Sequence, residues 1–364
     1  MTTRPPHEAM PSRRLFLGGV LGSLALAACS VPGSRDSSSG SGSGGSEGMA
    51  GALAVTAFGG TTQEIYNKIV YGPFGQEHGT RVTEVTLQSD DALARMLAQK
   101  GSPEIDMFQF SGGQESSAKA QGLSTDIGDL GVDVDSQFVD PDGQWAAVAV
   151  IPEGIVYDTE QISEAPTSYR DFLRPEYRGH IAFPNITSGY GVDFLVMLAY
   201  AYGGSETDID PGFEALAEIA AHAQIFQSAA EMQTLFSQGG VWLMPYDSSN
   251  AFRTAEAGLP VAFATPEEGS PANLITHVIA DGSPNVSTAQ AVVQAALQPD
   301  AQAQLAEQLR WIPVNPDTEL SGEVADEVPV GQEALDGLNM LDREAIAEQR
   351  PEWTERFNRE IATL

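Results

Sequence analysis

The sequence predicts an α/β protein built on a mostly parallel sheet covered by helices. Three observations predict it. Runs with β-propensity alternate with runs of helical apolar spacing from Leu53 onward, the order from which parallel sheets are made. A second train of the same kind starts at Trp145. The chain from Ala52 to Leu364 holds 313 residues, long for one core and natural for two lobes.

The elements follow in order. Leu53 to Phe58 reads as a strand flanked by glycines, and Gly59-Gly60-Thr61-Thr62 leads into the helical spacing of Ile65, Ile69 and Phe74. Arg81 to Leu87 alternates as a strand. Asp90 to Lys100 places Leu93, Met96 and Leu97 on one helical face, with Ser89 as its cap. Asp106 to Phe110 is the next strand and runs into Ser111-Gly112-Gly113. Ligands of such sheets sit beyond the carboxyl ends of the strands, which puts residues 59–62 and 111–113 on one rim. In the second train Trp145 to Ile151 and Gly154 to Tyr157 are two strands, Thr167 to Leu173 a short helix and His180 to Pro184 a strand. An apolar helix then runs to Tyr202, and Pro211 to Ala223 and Ala229 to Gln238 are helices. Val241 to Pro245 and Val261 to Ala264 are strands. Ser287 to Leu297, Pro299 to Leu309 and Arg343 to Leu364 are helices.

The amino terminus predicts export. Arg13 and Arg14 precede an apolar run, Leu15 to Ala28, that ends in Leu26-Ala27-Ala28-Cys29. Its fourteen residues would span about 21 Å as a helix, against a hydrocarbon core of ~30 Å, so the run is a signal segment and not a transmembrane helix. Ser-Arg-Arg-x-Phe-Leu resembles a twin-arginine export signal. Leu-Ala-Ala-Cys resembles the bacterial lipobox, whose cysteine is acylated, and Cys29 is the one cysteine in the chain. Residues 30–51 are rich in Ser and Gly without apolar periodicity. They read as a flexible tether averaging roughly 26 Å end to end. Residues 1–29 are thus expected to export the chain and to leave it lipid-anchored through Cys29 on the outer face of a membrane.

The formal net charge is −32, and because residues 1–51 hold four arginines and three acids the remainder carries −33. Such a field repels nucleic acid and anionic membrane and draws cations. Only Lys68, Lys100 and Lys119 accompany fifteen arginines, which fits a bias of the whole surface more than a dedicated site. Catalytic patterns fail on context. Gly44 to Gly48 matches Gly-x-Ser-x-Gly but lies in the tether, with no strand before it. Ser116 to Lys119 matches Ser-x-x-Lys without its companion motifs. The five histidines (7, 78, 180, 222 and 277) show no metal spacing. No enzyme, cofactor or metal is expected.

The order of motifs resembles the extracellular solute-binding proteins of ABC importers, in the branch of spermidine/putrescine and iron(III) binders. The resemblance covers Leu53 to Asn315. Its pieces are the first strand with its glycine loop, Gly154-Ile-Val-Tyr157 before Ala165 to Gly179, Ala262 to Gly269 ending Pro-Glu-Glu-Gly, and Leu297 to Gln302 leading to Ile312-Pro-Val-Asn315. It implies a two-lobed, periplasmic-binding-protein-like fold of type II with a hinge of crossing strands. Lobe 1 is mapped to 52–153 plus 276–364 and lobe 2 to 154–275. It also implies a monomer that captures a small solute between the lobes and delivers it to an ABC permease. A tethered surface adhesin or sensor is the alternative class.

Candidate binding residues follow. Gly60, Thr61 and Thr62, like Ser111 and Gly112, offer free N–H groups at a helix start or serve simply as turns. Ser188 and Tyr190 open an apolar helix. Tyr246 and Asp247 pair an aromatic face with a carboxylate, which suits an amine, unless Asp247 only caps the next helix. Glu268 reaches the cleft or is solvated. A polyamine is the first ligand expectation, with an amino-acid-like or aminophosphonate zwitterion or iron(III) as alternatives. The chain departs from the polyamine pattern, since no Trp followed by Asp comes after Pro-Glu-Glu-Gly, and from the iron pattern, since it has no Tyr-Tyr pair. Replacing Cys29 by Ala should release the exported protein from membranes. Retention at wild-type level through washes in high salt and mild base would rule out the anchor.

Overall fold

The computed structural model describes residues 49–227 and 229–363. Cys29, the twin-arginine segment and most of the tether lie outside the described residues. The last tether residues do not behave as linker. Met49 packs on the first core, the Ala50 N–H donates to Thr288 Oγ1 at 2.8 Å, and Thr80 Oγ1 donates to the Ala50 carbonyl at 2.9 Å. The folded part therefore begins before the expected boundary at Ala52.

Among the described residues eleven strands form the sheet. They are β1 (Ala52–Ala57), β2 (Arg81–Thr86), β3 (Met107–Ser111), β4 (Ser124–Thr125), β5 (Ala146–Asp158) and β6 (Ile181–Pro184). Then come β7 (Ala223–Phe226), β8 (Leu243–Asp247), β9 (Val261–Ala264), β10 (Ser270–Ala280) and β11 (Leu338–Asn339). The order is β2-β1-β3-β10-β5-β8-β6-β7, with β4 and β11 on β10 and β9 on β5. The sheet is mixed and not mostly parallel. β1 with β2 and β3, and β6 with β7 and β8, are parallel sets, while β5 and β10 run antiparallel to their main neighbours.

Two expectations change here, and both concern the long strands. Residues 145–157 form one strand of 13 residues rather than two. Pro152 has no N–H to donate, and with Gly154 it looks like a break in sequence. In the fold the strand changes partners there, from β10 (up to Pro152, opposite Ala272) to β8 and β9 (from Glu153). β10, paired with β3 on one side and β5 on the other, is a strand that the sequence reading passed over. Pro271, Asn273, Thr276 and His277 interrupt its apolar run, yet all four are buried.

Alternate residues of each strand feed opposite faces. Around the first strands Leu53, Val55, Met107 and Ile279 enter one core, and Phe108, Phe110 and Val278 enter a cluster on the other face. Around the second set Ile155, Ile181, Phe183 and Leu243 enter a core, and Val156, Ala182, Met244 and Tyr246 a cluster opposite. The C-terminal helix, Arg343–Glu360, carries Ile346, Trp353 and Phe357 on one stripe. It buries that stripe with Tyr169, Phe172 and Phe194 in the second core. Residues 341–361 therefore do not join the first core as the mapping of 276–364 to lobe 1 implied. The stripe shows which residues are buried, not which core receives them. Among the described residues no helix is long and apolar enough to cross a membrane.

His277 of β10 is fully buried, its Nε2 3.1 Å from the Tyr66 hydroxyl and its Nδ1 without a hydrogen-bond partner among the described residues. Burial pushes its pKa down to about 3. In the unfolded chain the value is ~6.5, so below that pH the unfolded state takes a proton that the native state refuses. The neutral ring's contribution is present above pH ~6.5 and is lost as pH falls toward 3, a total on the order of 4 kcal/mol. Urea melts from pH 7 to pH 4 should show a shallower loss of stability in His277→Gln than in the natural protein. Equal slopes would refute this.

Candidate functional site

Four loops follow the carboxyl ends of β1, β3, β6 and β8. The first opens the helix Gly60–Tyr66, with Gly59 at the cap position and no side-chain cap bond. Gly60 and Thr61 are exposed, and Thr62 is half-buried. In the second, Ser111 Oγ donates to Asn273 Oδ1 at 2.8 Å, and the Ser111 N–H donates to Ser89 Oγ at 3.0 Å. That bond, not helix capping, engages Ser89, since Gln88 holds the cap position. Gly112 has φ 105°, a conformation that favours glycine. A Cβ there would lie 3.6 Å from the Gly189 Cα. The loop after β3 and the loop after β6 thus meet backbone to backbone.

The third loop ends in Ser188, which caps the helix Gly189–Ala201 by accepting from the Gly191 N–H at 3.2 Å. Tyr190 projects from this helix and stacks on Tyr246 with ring centres 4.4 Å apart. Burial, and then the Asp247 carboxylate, push the pKa of its hydroxyl well up. Asp247 ends β8 and caps the helix Ser248–Glu256, accepting from the Asn250 N–H at 2.7 Å and from Asn250 Nδ2 at 2.6 Å. The capping role is thus present, and the same carboxylate also faces the aromatic pair.

Glu268 does not join this group. One of its oxygens accepts from Ser168 Oγ and the other from the Tyr169 N–H at 3.2 Å. Both oxygens are engaged by the turn before the 3-10 helix Tyr169–Leu173. Each oxygen keeps one acceptor site, and the residue is half-buried.

The loops are joined by residues that the sequence reading missed. Arg253, on the helix capped by Asp247, donates from Nη1 to Thr62 Oγ1 at 2.7 Å and from Nη2 to Asn250 Oδ1 at 2.9 Å. Glu153 sits directly opposite Asp247 in the β5–β8 register. Both are buried, at 5% and 0% exposure. Asp193 is fully buried on the same helix as Tyr190 and holds Arg343 with two bonds, at 2.5 and 2.9 Å. Arg343 Nη2 also donates to the Ala272 carbonyl of β10 at 3.3 Å. Burial opposes the charge of Arg343, but Asp193, and after it Glu153 and Glu115, hold its pKa above the ordinary arginine value. Two local signals were available. Asp193 is the one charged residue in an apolar helix, and Glu153 is the one charged residue inside an apolar strand that ends at Asp158. Arg343 and Arg253 carry no local signal.

With the geometry in view, the comparisons place the chain. Residues 102–337 match the family model of the bacterial extracellular solute-binding proteins, and the chain belongs to that family. Its members are solute-binding transport proteins and not enzymes. The chain is 21% identical to the gamma-aminobutyric acid-binding protein of Pseudomonas aeruginosa over 84% of its own length and 90% of that protein. It is 24% identical to the spermidine/putrescine-binding periplasmic protein of Escherichia coli K12 over 72% of itself and 80% of that protein. Among solved structures it superposes on an ABC transporter substrate-binding protein of Bradyrhizobium japonicum with a TM-score of 0.73 at 18% identity, covering 84% of this chain and 99% of that one. That likeness shows the fold.

Removing one partner of a buried ion pair leaves an uncompensated charge and costs ~3–5 kcal/mol. Arg343→Met should lower unfolding stability by about that amount, and Arg343→Met with Asp193→Leu should recover much of it. A single variant with an unchanged urea midpoint would show that the pair does not bear on folding.

Proposed function

We propose that this protein captures a small zwitterionic ω-amino acid, of the γ-aminobutyric acid type, between its two cores and presents it to an ABC permease. The observation that carries this reading is the chain Arg253–Asn250–Asp247. It sets a guanidinium and a carboxylate on one rim, separated by a single carboxamide through hydrogen bonds of 2.9 and 2.6 Å. A ligand with a carboxylate at one end and an ammonium several bonds away matches both charges. Its carboxylate meets Arg253 and Thr62, with the loops at Gly60–Thr61 and Ser111–Gly112 beside them. Its ammonium meets Asp247 and Glu153 beside the Tyr190–Tyr246 pair, where ring faces favour a cation. The relation to a gamma-aminobutyric acid-binding protein over nearly the whole chain supports the same class.

A polyamine is the second reading. The excess of Glu153, Asp193 and Asp247 over Arg343 and the relation to a spermidine/putrescine-binding protein favour it. Arg253 counts against it, because a second ammonium would face a fixed cation. Among the described residues no three of His, Cys, Asp and Glu are grouped to hold a metal ion such as iron(III).

The two cores act as lobes that rock about β5 and β10 and close when a ligand touches both rims. One chain carries the whole site and works as a monomer. Export by the twin-arginine segment and acylation at Cys29 hold it on the outer face of the membrane. A thermal-shift screen should show γ-aminobutyric acid raising the melting temperature, since it binds only the folded form. By calorimetry Arg253→Gln should weaken γ-aminobutyric acid at least about tenfold, the loss of a charge-assisted bond, and leave putrescine unharmed. Tighter binding of putrescine than of γ-aminobutyric acid to the natural protein, with no effect of Arg253→Gln on either, would favour the polyamine.

A further inference from the structure

We propose that the site takes up the ammonium group of its ligand in exchange for a proton. Glu153 is protonated in the ligand-free protein and donates to Asp193. It releases that proton to solvent when an ammonium lodges between Glu153 and Asp247. The inference rests on the reading that the ligand bears an amine.

The register carries the argument. Glu153 of β5 and Asp247 of β8 are directly paired residues of an antiparallel ladder. Their Cβ atoms are therefore on one face, ~4.5–5.5 Å apart, where like charges repel. Asp247 is fully buried and Glu153 is only 5% exposed. A third carboxyl, that of Asp193, adds its repulsion and raises the Glu153 pKa further. A proton on Glu153 relieves that repulsion and lets it donate to Asp193.

The counter-charges nearby are already engaged. Arg343 is bidentate on Asp193 and also bonded to the Ala272 carbonyl. It is drawn toward Glu115 as well, on the helix Gln114–Ala120. Arg253 is held by Thr62 and Asn250. The other titratable groups around Glu153 are the hydroxyls of Tyr190, Tyr246 and Tyr169. Burial keeps all three protonated, so they supply no positive charge. Burial first, and then Asp193 and Asp247, likewise push the Glu153 carboxyl well above the usual carboxylate range, with Arg343 offsetting only part of it.

An ammonium changes this balance. It brings one positive charge and three N–H donors into a gap lined by two carboxyls. Glu153 can then ionise, and the proton that neutralised it leaves. The charge within the site is conserved, one cation replacing another. The carboxylate and ammonium of γ-aminobutyric acid do not titrate near neutrality, so a proton released on binding comes from the protein. By linkage, affinity should fall by up to about tenfold for each pH unit below neutrality.

The test is calorimetric titration of the purified protein with γ-aminobutyric acid at pH 7, in buffers of different ionisation enthalpy. The dependence of the observed enthalpy on the buffer counts the protons released. The expected result is close to one proton per ligand for the natural protein and close to none for Glu153→Gln, which also loses the pH dependence of affinity. Binding to the natural protein without proton release, at an affinity that does not change with pH, overturns this inference and leaves the ligand reading intact. Release from Glu153→Gln equal to that of the natural protein overturns it too, by placing the proton elsewhere. If neither γ-aminobutyric acid nor putrescine binds, the amine reading fails, and this inference fails with it.

Discussion

The change of partners along β5 is the constraint on which the rest of this structure depends. Its residues up to Pro152 pair with β10, and those from Glu153 onward pair with β8 and β9. One continuous backbone thus belongs to both sets of strands, and β10 runs beside its first half. The first residue after the changeover is Glu153, so the carboxyl that faces Asp247 is placed by the ladder itself. Gly154, next along, has no room for a side chain. A Cβ there would lie 2.6 Å from the Ala264 carbonyl oxygen and 2.7 Å from the Phe263 ring. The strand can accept a partner on each side only because that position is bare.

The electrostatics follow from this frame. A chain with a large excess of acids puts several of its few arginines around the rims. Arg343 joins Asp193 to the Ala272 carbonyl of β10. Arg350, two turns further along the C-terminal helix, donates to the Thr187 carbonyl at 2.8 Å and lies 3.6 Å from Asp90. Arg253 joins Asn250 to Thr62. Each cation touches elements on both sides of the site. Guanidinium suits this work, because its fixed fork of donors can satisfy two acceptors at once. The exposed pairs elsewhere, such as Arg178 with Glu218, are worth little beside these.

The C-terminal helix ties these features together. It leaves the first set of strands near β11, caps itself with Asp342, and buries Trp353 and Phe357 in the second core. Its first residue, Arg343, then stands between the cores, against the buried Asp193. Both partners of that ion pair sit on helices of the second core, so movement of one core against the other would act on the bond from Arg343 to the Ala272 carbonyl.

The sequence by itself determined most of the elements and the places where loops gather. Glycines and a strand–helix alternation marked residues 59–62 and 111–113, and an aromatic beside a carboxylate marked Tyr246 and Asp247. These are local signals, set by backbone conformation and the spacing of apolar residues. The pairing of Glu153 with Asp247, the salt bridge between Asp193 and Arg343 and the path of β10 were decided only in the tertiary structure. Asp193 and Arg343 are 150 residues apart, and no spacing in the chain relates them. β10 was illegible because Asn273, Thr276 and His277 are polar residues whose burial depends on partners from distant strands and helices. The motif around Glu268 was visible in the same way, but the bonds of its oxygens to a turn a hundred residues away were not. A sequence records what each element can bury or donate. Which groups meet is settled when the sheet brings distant segments within hydrogen-bond reach, where burial makes every unpaired charge costly.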